Sequence, residues 1–200
     1  LIAYNGCSVN SIVTPLASMV ERESHLLEHD ISRIETLTFA FQGGDPRKNF
    51  DRMLRVAELW LAESTESKRN ICIFGNIKLL KLKYPAFSNF DTKRIVLCEF
   101  PSDVELIAIY KMSSIYLYLS EMVVFGLPPL EAMQFGCAAI MLDNSSLSDV
   151  FKGWVGLLPQ DSADQSIVIT LNSLLENHTA NRKAAVALSY HYNWNFTVGH

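Results

Sequence analysis

The run Ile115-Tyr116-Leu117-Tyr118-Leu119 constrains this chain most, because it offers no polar side to water. A strand without a wet face has to be covered on both sides, which is the condition of a central strand in a parallel sheet. The next twenty residues suit that setting. Phe125-Gly126-Leu127 reads as a turn, and Pro128 and Pro129 fall where a helix begins. Proline is tolerated there because the N–H it lacks would have no intrahelical partner. Leu130, Met133 and Gln134 carry the helix on, and Gly136 reads as its left-handed terminator. Backbone N–H groups at such a start bind phosphate, and Glu131 lies one turn inside.

The rest of the chain repeats the same alternation. Strand-like runs occupy 36–42, 70–75, 94–99 and 137–142, with a shorter one at 155–159. Helical patterns cover 50–63, 104–113, 162–176 and 180–190, the first carrying Met53, Leu54, Val56, Ala57 and Trp60 at helical spacing. Ser102 and Glu105 have the spacing of a capping box. Residues 76–90 read as a helix or loop whose Lys78, Lys81 and Lys83 form a solvated basic edge. Residues 143–150 read as a loop and short helix. Strands alternating with helices in this way imply an α/β fold, a Rossmann-like doubly wound parallel sheet.

Composition excludes several classes. With 49% apolar and 19% charged residues, the 200-residue chain is of ordinary globular make-up and holds one sizeable domain. A net charge of −4 speaks against a nucleic-acid partner or a broad anionic-membrane surface. Cys7, Cys72, Cys98 and Cys137 are far apart, three of them in apolar runs, and read as buried reduced thiols of a cytoplasmic protein. No run approaches the ~20 apolar residues that span a membrane. His25 and His29 sit four apart on an amphipathic helix over 16–33, but without a third ligand nearby they read as solvated, and no metal site is expected.

The second chemically suggestive stretch is Gly43-Gly44-Asp45-Pro46-Arg47-Lys48-Asn49, between the first strand and its helix. Glycines after a strand and basic residues before a helix make a phosphate cradle. The residues alone fit equally a plain β–α turn with a solvated basic pair.

Both stretches resemble one family. Phe125-Gly126-Leu127-Pro128-Pro129-Leu130-Glu131-Ala132-Met133 is similar to the donor-site motif of retaining GT-B glycosyltransferases of the group 1, family 4 type, Glu-Gly-Phe-Gly-Leu-Pro-x-Leu-Glu-Ala-Met. The Gly43–Asn49 loop resembles the Gly-x-x-Asp-Pro-Arg-Lys-Asn loop of mannosyl- and rhamnosyltransferase-like members. Residues 102–110 are similar to the Val-Ser-Asp-Glu-Glu-Leu-x-x-Leu-Tyr segment, whose preceding loop meets the nucleotide base in that family. The resemblance implies the C-terminal half of a GT-B fold. It further implies a nucleotide-diphospho-sugar donor and a glycan or lipid-linked acceptor held by a missing N-terminal half. Residues 1–35 would be interdomain linker and leading helix, and 36–200 the donor domain of a longer polypeptide. The expected location is cytoplasmic, with the inner membrane face as an alternative through the missing half.

Roles carry over by position. Glu131 takes the place of the ribose-binding glutamate, and Lys48 that of the lysine on the donor pyrophosphate. Phe125, Gly126, Leu127 and Pro128 line the donor site. Two departures stand out. Val123 occupies the position of the first motif glutamate, which lies near the donor sugar, and a valine can neither accept from a hydroxyl nor steady a cationic centre. Glu121, two residues upstream, either takes over that role or is a solvated surface group. Gly44 stands where many relatives have arginine, leaving Arg47 as the candidate second cation. Breaking the anomeric bond builds negative charge on the leaving diphosphate, so cations and N–H donors are the useful groups, each worth about 3 kcal/mol. No metal cofactor is needed where protein cations serve. Three readings stay open: the donor domain of an active transferase, a non-catalytic glycosyltransferase-like subunit, and an unrelated Rossmann-like module.

Overall fold

The computed structural model describes residues 35–64, 69–85, 94–121 and 127–190. The leading linker and helix, His25, His29, Cys7, Val123, Phe125 and Gly126 lie outside the described residues.

Six strands form one parallel sheet: β1 (Glu35–Phe41), β2 (Arg69–Gly75), β3 (Ile95–Glu99), β4 (Ile115–Tyr118), β5 (Ala138–Leu142) and β6 (Leu157–Leu158). Their order is β3-β2-β1-β4-β5-β6, so the chain reverses direction between β1 and β4. That reversal is the doubly wound arrangement, with a crevice at the carboxyl ends of the two central strands. The short run at 155–159 joins as the edge strand β6, held by Met141↔Leu157 and Leu142↔Leu158. Leu37↔Ile115 and Thr38↔Tyr116 set the central register.

The helices are α1 (Phe50–Ala62), α2 (Ile77–Lys83), α3 (Asp103–Met112), α4 (Leu127–Gln134), α5 (Ser145–Val150), α6 (Asp164–Glu176) and α7 (His178–Tyr190). α1 packs against α6, and α4 packs against α3 and α7. Right-handed crossovers on either side of the reversal place these groups on opposite faces of the sheet. The α1 face is built on β1: Phe50 meets Phe41 edge-on at 4.7 Å and Phe39 at 5.8 Å. The α3 face is built on β4, where Tyr110 meets Tyr116 edge-on at 5.7 Å and Phe74 stands 6.2 Å from Tyr110. Ile115 through Leu119 are all buried, as a strand apolar on both faces requires.

Local signals explain the element ends. Ser102 accepts from the Glu105 amide while the Glu105 carboxylate accepts from the Ser102 amide at 2.8 Å, a complete capping box. Gly136 ends α4 at φ +80°, with the Arg182 side chain where a Cβ would point. Residues 77–83 resolve into helix because Asn76 caps them, its side chain accepting from the Leu79 amide at 3.0 Å. Cys72, Cys98 and Cys137 are buried free thiols, with the Cys72 and Cys98 sulfurs 4.0 Å apart.

Candidate donor site at the strand reversal

The loops leaving β1 and β4 meet at the reversal, and hydrogen bonds lock them together. The Glu121 amide donates to the Arg47 carbonyl at 2.9 Å, and the Ser120 hydroxyl donates to the same oxygen at 3.2 Å. The Asn49 side-chain amide donates to Glu121 Oε1 at 3.3 Å. Sequence positions more than seventy residues apart thus form one structural unit. Glu121 itself is exposed, with its carboxylate turned to this latch.

Backbone geometry shapes the first loop. Gly43 and Gly44 both take left-handed φ, +77° and +78°, where a side chain would be strained. Asp45 then starts a 3-10 turn, Pro46–Lys48, by accepting from the Arg47 amide at 3.0 Å. Its carboxylate also takes both arms of the Arg47 guanidinium, at 2.7 and 3.0 Å. Those side-chain and backbone hydrogen bonds hold Asp45 below the usual carboxylate range. Arg47 is therefore neutralised locally. Lys48 is different: it is half-buried, has no ion pair among the described residues, and lines a small void with Gln42, Tyr116 and Tyr118.

Next to this void lies a cleft of about 440 Å³, formed by the ends of β1 and β2 and the start of α3. Gln42 borders both. Gly75 forms part of the cleft floor at φ +123°, and a Cβ there would collide with the Phe41 carbonyl. The Phe100 amide donates to the Gly75 carbonyl at 3.0 Å, and Phe100 adopts φ +39°, left-handed for a non-glycine residue. Phe100 is 39% exposed and lines the cleft. Asp103 contributes a carboxylate beside it.

Glu131 sits in α4. The residue is exposed, yet partial desolvation of the carboxyl raises its pKa, and the negative charge of Asp103 raises it further. The start of α4 needs one correction. Leu127 belongs to the helix rather than to the turn, and is exposed. Pro128 and Pro129 have no N–H and the Leu130 amide belongs to the i→i−4 ladder, so of the helical residues in that turn Leu127 alone has an amide to offer.

Lys83, expected on a solvated edge, is exposed and also reaches the first loop. Its side chain fills the space in front of Gly44: a Cβ there would meet Nζ, with Cδ and Cε at 3.1 Å. Phe100 and Asp103 were legible in the sequence only as a loop and a helix start. Among the described residues, no three His, Cys, Asp or Glu side chains gather as a metal site. No helix among them is long and apolar enough to cross a membrane.

Comparison with known proteins bears on this site. The chain is 24% identical over 211 residues to the serotype-specific mannosyltransferase WbdA of Escherichia coli, covering 97% of this chain and 26% of that protein. It thus spans about a quarter of the relatives' length. The pneumococcal O-GlcNAc transferase GtfA, solved with UDP and GlcNAc, shares the fold with a TM-score of 0.62 at 18% identity, over 86% of this chain and 40% of that one. The C-terminal domain of the LpcC group 1 glycosyl transferase of Francisella tularensis matches at TM-score 0.62 and 20% identity, over 85% and 91%. The architecture is the Rossmann-like C-terminal half of a GT-B fold. The family model for group 1 glycosyl transferases matches residues 35–189, from β1 through the body of α7 and across both site loops, and the chain belongs to that family.

Proposed function

We propose that the cleft and the reversal between β1 and β4 bind a nucleotide-diphospho-sugar, and that this is the donor domain of a retaining glycosyltransferase. The acceptor would be a glycan or a lipid-linked sugar, bound by a further domain. In this reading the base enters the cleft against Phe100, Glu131 accepts from the ribose hydroxyls, and Lys48 meets the diphosphate. As the anomeric bond breaks, charge moves onto the leaving diphosphate, and Lys48 with the Leu127 amide opposes it. Lys48 supplies the cation, so the reading calls for no metal ion. Mannose is the first sugar to test, given the mannosyltransferase activity named for WbdA.

The observation that carries the reading is the latch between Arg47 and Glu121, which brings the lysine loop and the loop leading to Glu131 to one place. Titrating the protein with UDP, GDP and ADP tests it. At least one should bind one-to-one, more tightly than its nucleoside, and equal affinity for nucleoside and diphosphate would refute it. Val123 favours a second reading, a subunit that binds nucleotide sugar without turnover. Donor hydrolysis and transfer by the full-length protein separate the two.

A further inference from the structure

We infer that Lys83, from α2, is the second cation of the diphosphate site. The inference rests on the donor-site reading and adds a residue from a third element to it. The site has a shortage of positive charge. Arg47 is bound bidentately by Asp45, which leaves Lys48 as the unpaired cation of its own loop. Two proline positions remove N–H donors from the first turn of α4.

Lys83 answers both. Gly44 has no side chain, and the space this leaves is taken by the Lys83 chain. Its stem lies across the glycine and its ammonium ends at the loop that would cradle phosphate. Among the described residues it has no ion pair. The neighbouring residue fixes where it comes from. The Tyr84 ring packs 5.5 Å from Phe50 and 6.3 Å from Phe41, and its hydroxyl donates to Asp51 at 2.6 Å. That anchor holds the last turn of α2 against the start of α1 and points the preceding lysine at the glycines. A flexible ammonium reaching over a bare backbone suits a diphosphate, whose oxygens a point charge can follow.

The test is calorimetry on the wild type and on Lys83→Ala, Lys83→Arg and Lys48→Ala, each with a nucleoside, its monophosphate and its diphosphate. Lys83→Ala should lose about tenfold in diphosphate affinity, change nucleoside affinity little, and flatten the salt dependence. Lys83→Arg should retain most of the affinity. Lys83 is exposed, so the alanine variant should melt with the wild type. Should Lys48→Ala weaken diphosphate binding while Lys83→Ala does not, the Lys83 assignment is wrong and the donor site stands. Should neither variant change it, both fail together.

Discussion

The Glu121 amide and the Arg47 carbonyl lie 2.9 Å apart, and this bond joins the loops that follow the two central strands. Asn49 doubles the connection by donating to the Glu121 carboxylate. Glu121 therefore serves as a latch in the protein without ligand. Glu121→Gln keeps both the amide and an acceptor for Asn49, so diphosphate affinity should stay within about twofold of wild type. If the full-length protein transfers sugar as proposed, loss of transfer with unchanged donor binding would instead give Glu121 the role that Val123 cannot fill. Val123→Glu is the companion variant. It should raise transfer if the loop still accepts a carboxylate, and do harm if Glu121 already occupies the place, since two crowded carboxylates repel.

Glu131 should show opposite effects on binding and on stability. Desolvation, with Asp103 second, raises its pKa, so the folded state holds its proton to higher pH than the unfolded chain does. Stability contributed this way is present at low pH and lost as pH rises through the folded value. Binding runs the other way, because ribose hydroxyls need the ionised acceptor. Affinity for a nucleotide sugar, whose diphosphate does not titrate here, should fall as pH drops through a midpoint above the usual glutamate value of about 4.3. Glu131→Gln should remove that step, weaken binding at neutral pH and raise the melting temperature slightly. Calorimetry across pH 4 to about 8 and thermal melts check both halves.

The junction of α1 and α6 is a place where pH acts on stability alone. Desolvation raises the Asp164 pKa, but hydrogen bonds from Arg52 at 2.8 Å and Arg55 at 3.1 Å outweigh it and hold the carboxyl low. A depressed acid stabilises above its unfolded value and loses that contribution as pH falls through the folded one. Arg52 also donates to the Ser162 carbonyl, so it is held on two sides. Asp164→Asn should cost about 1–2 kcal/mol at pH 7, and the deficit should shrink below about pH 4. Urea denaturation at the two pH values measures it, and nucleotide affinity should not change.

Gly75→Ala should be among the costliest small substitutions in the sheet. Its Cβ would meet the Phe41 carbonyl, and φ +123° is itself closed to alanine. The expected loss is about 2–3 kcal/mol, with weaker nucleotide binding because the cleft floor must move. Gly43→Ala is the control: it has the positive φ but nothing within 4 Å, and should cost only about 1 kcal/mol. Equal losses in the two variants would mean that the contact with Phe41 is not what Gly75 is there to avoid.

Much of the fold was legible because its signals are local. The strand Ile115 to Tyr118 shows no polar face, the Ser102–Glu105 box marks a helix start, and Gly136 marks a helix end. Lys48 and Glu131 were legible as positions within motifs, and the sheet puts the segments that follow β1 and β4 at one reversal point. The features that stayed hidden depend on tertiary contacts. Asp45 and Arg47 are two apart in sequence, yet nothing in that spacing says the carboxylate takes the guanidinium rather than leaving it for a ligand. Residues 77–83 show apolar and basic residues without a clean period, so the helix depends on its Asn76 cap and on Tyr84. The meeting of Lys83 with Gly44 has no local signal, because it is created by the packing of α2 beside the loop.

The most direct test of the donor site compares GDP, UDP and ADP binding by the wild type, Lys48→Ala and Glu131→Gln, each in EDTA and again in magnesium. The preferred diphosphate should bind the wild type equally in both conditions. Lys48→Ala should weaken it by about ten- to a hundredfold with a flatter salt dependence, and Glu131→Gln should weaken diphosphate and nucleoside alike. Wild-type affinity left unchanged by both substitutions would contradict the donor site placed between β1 and β4.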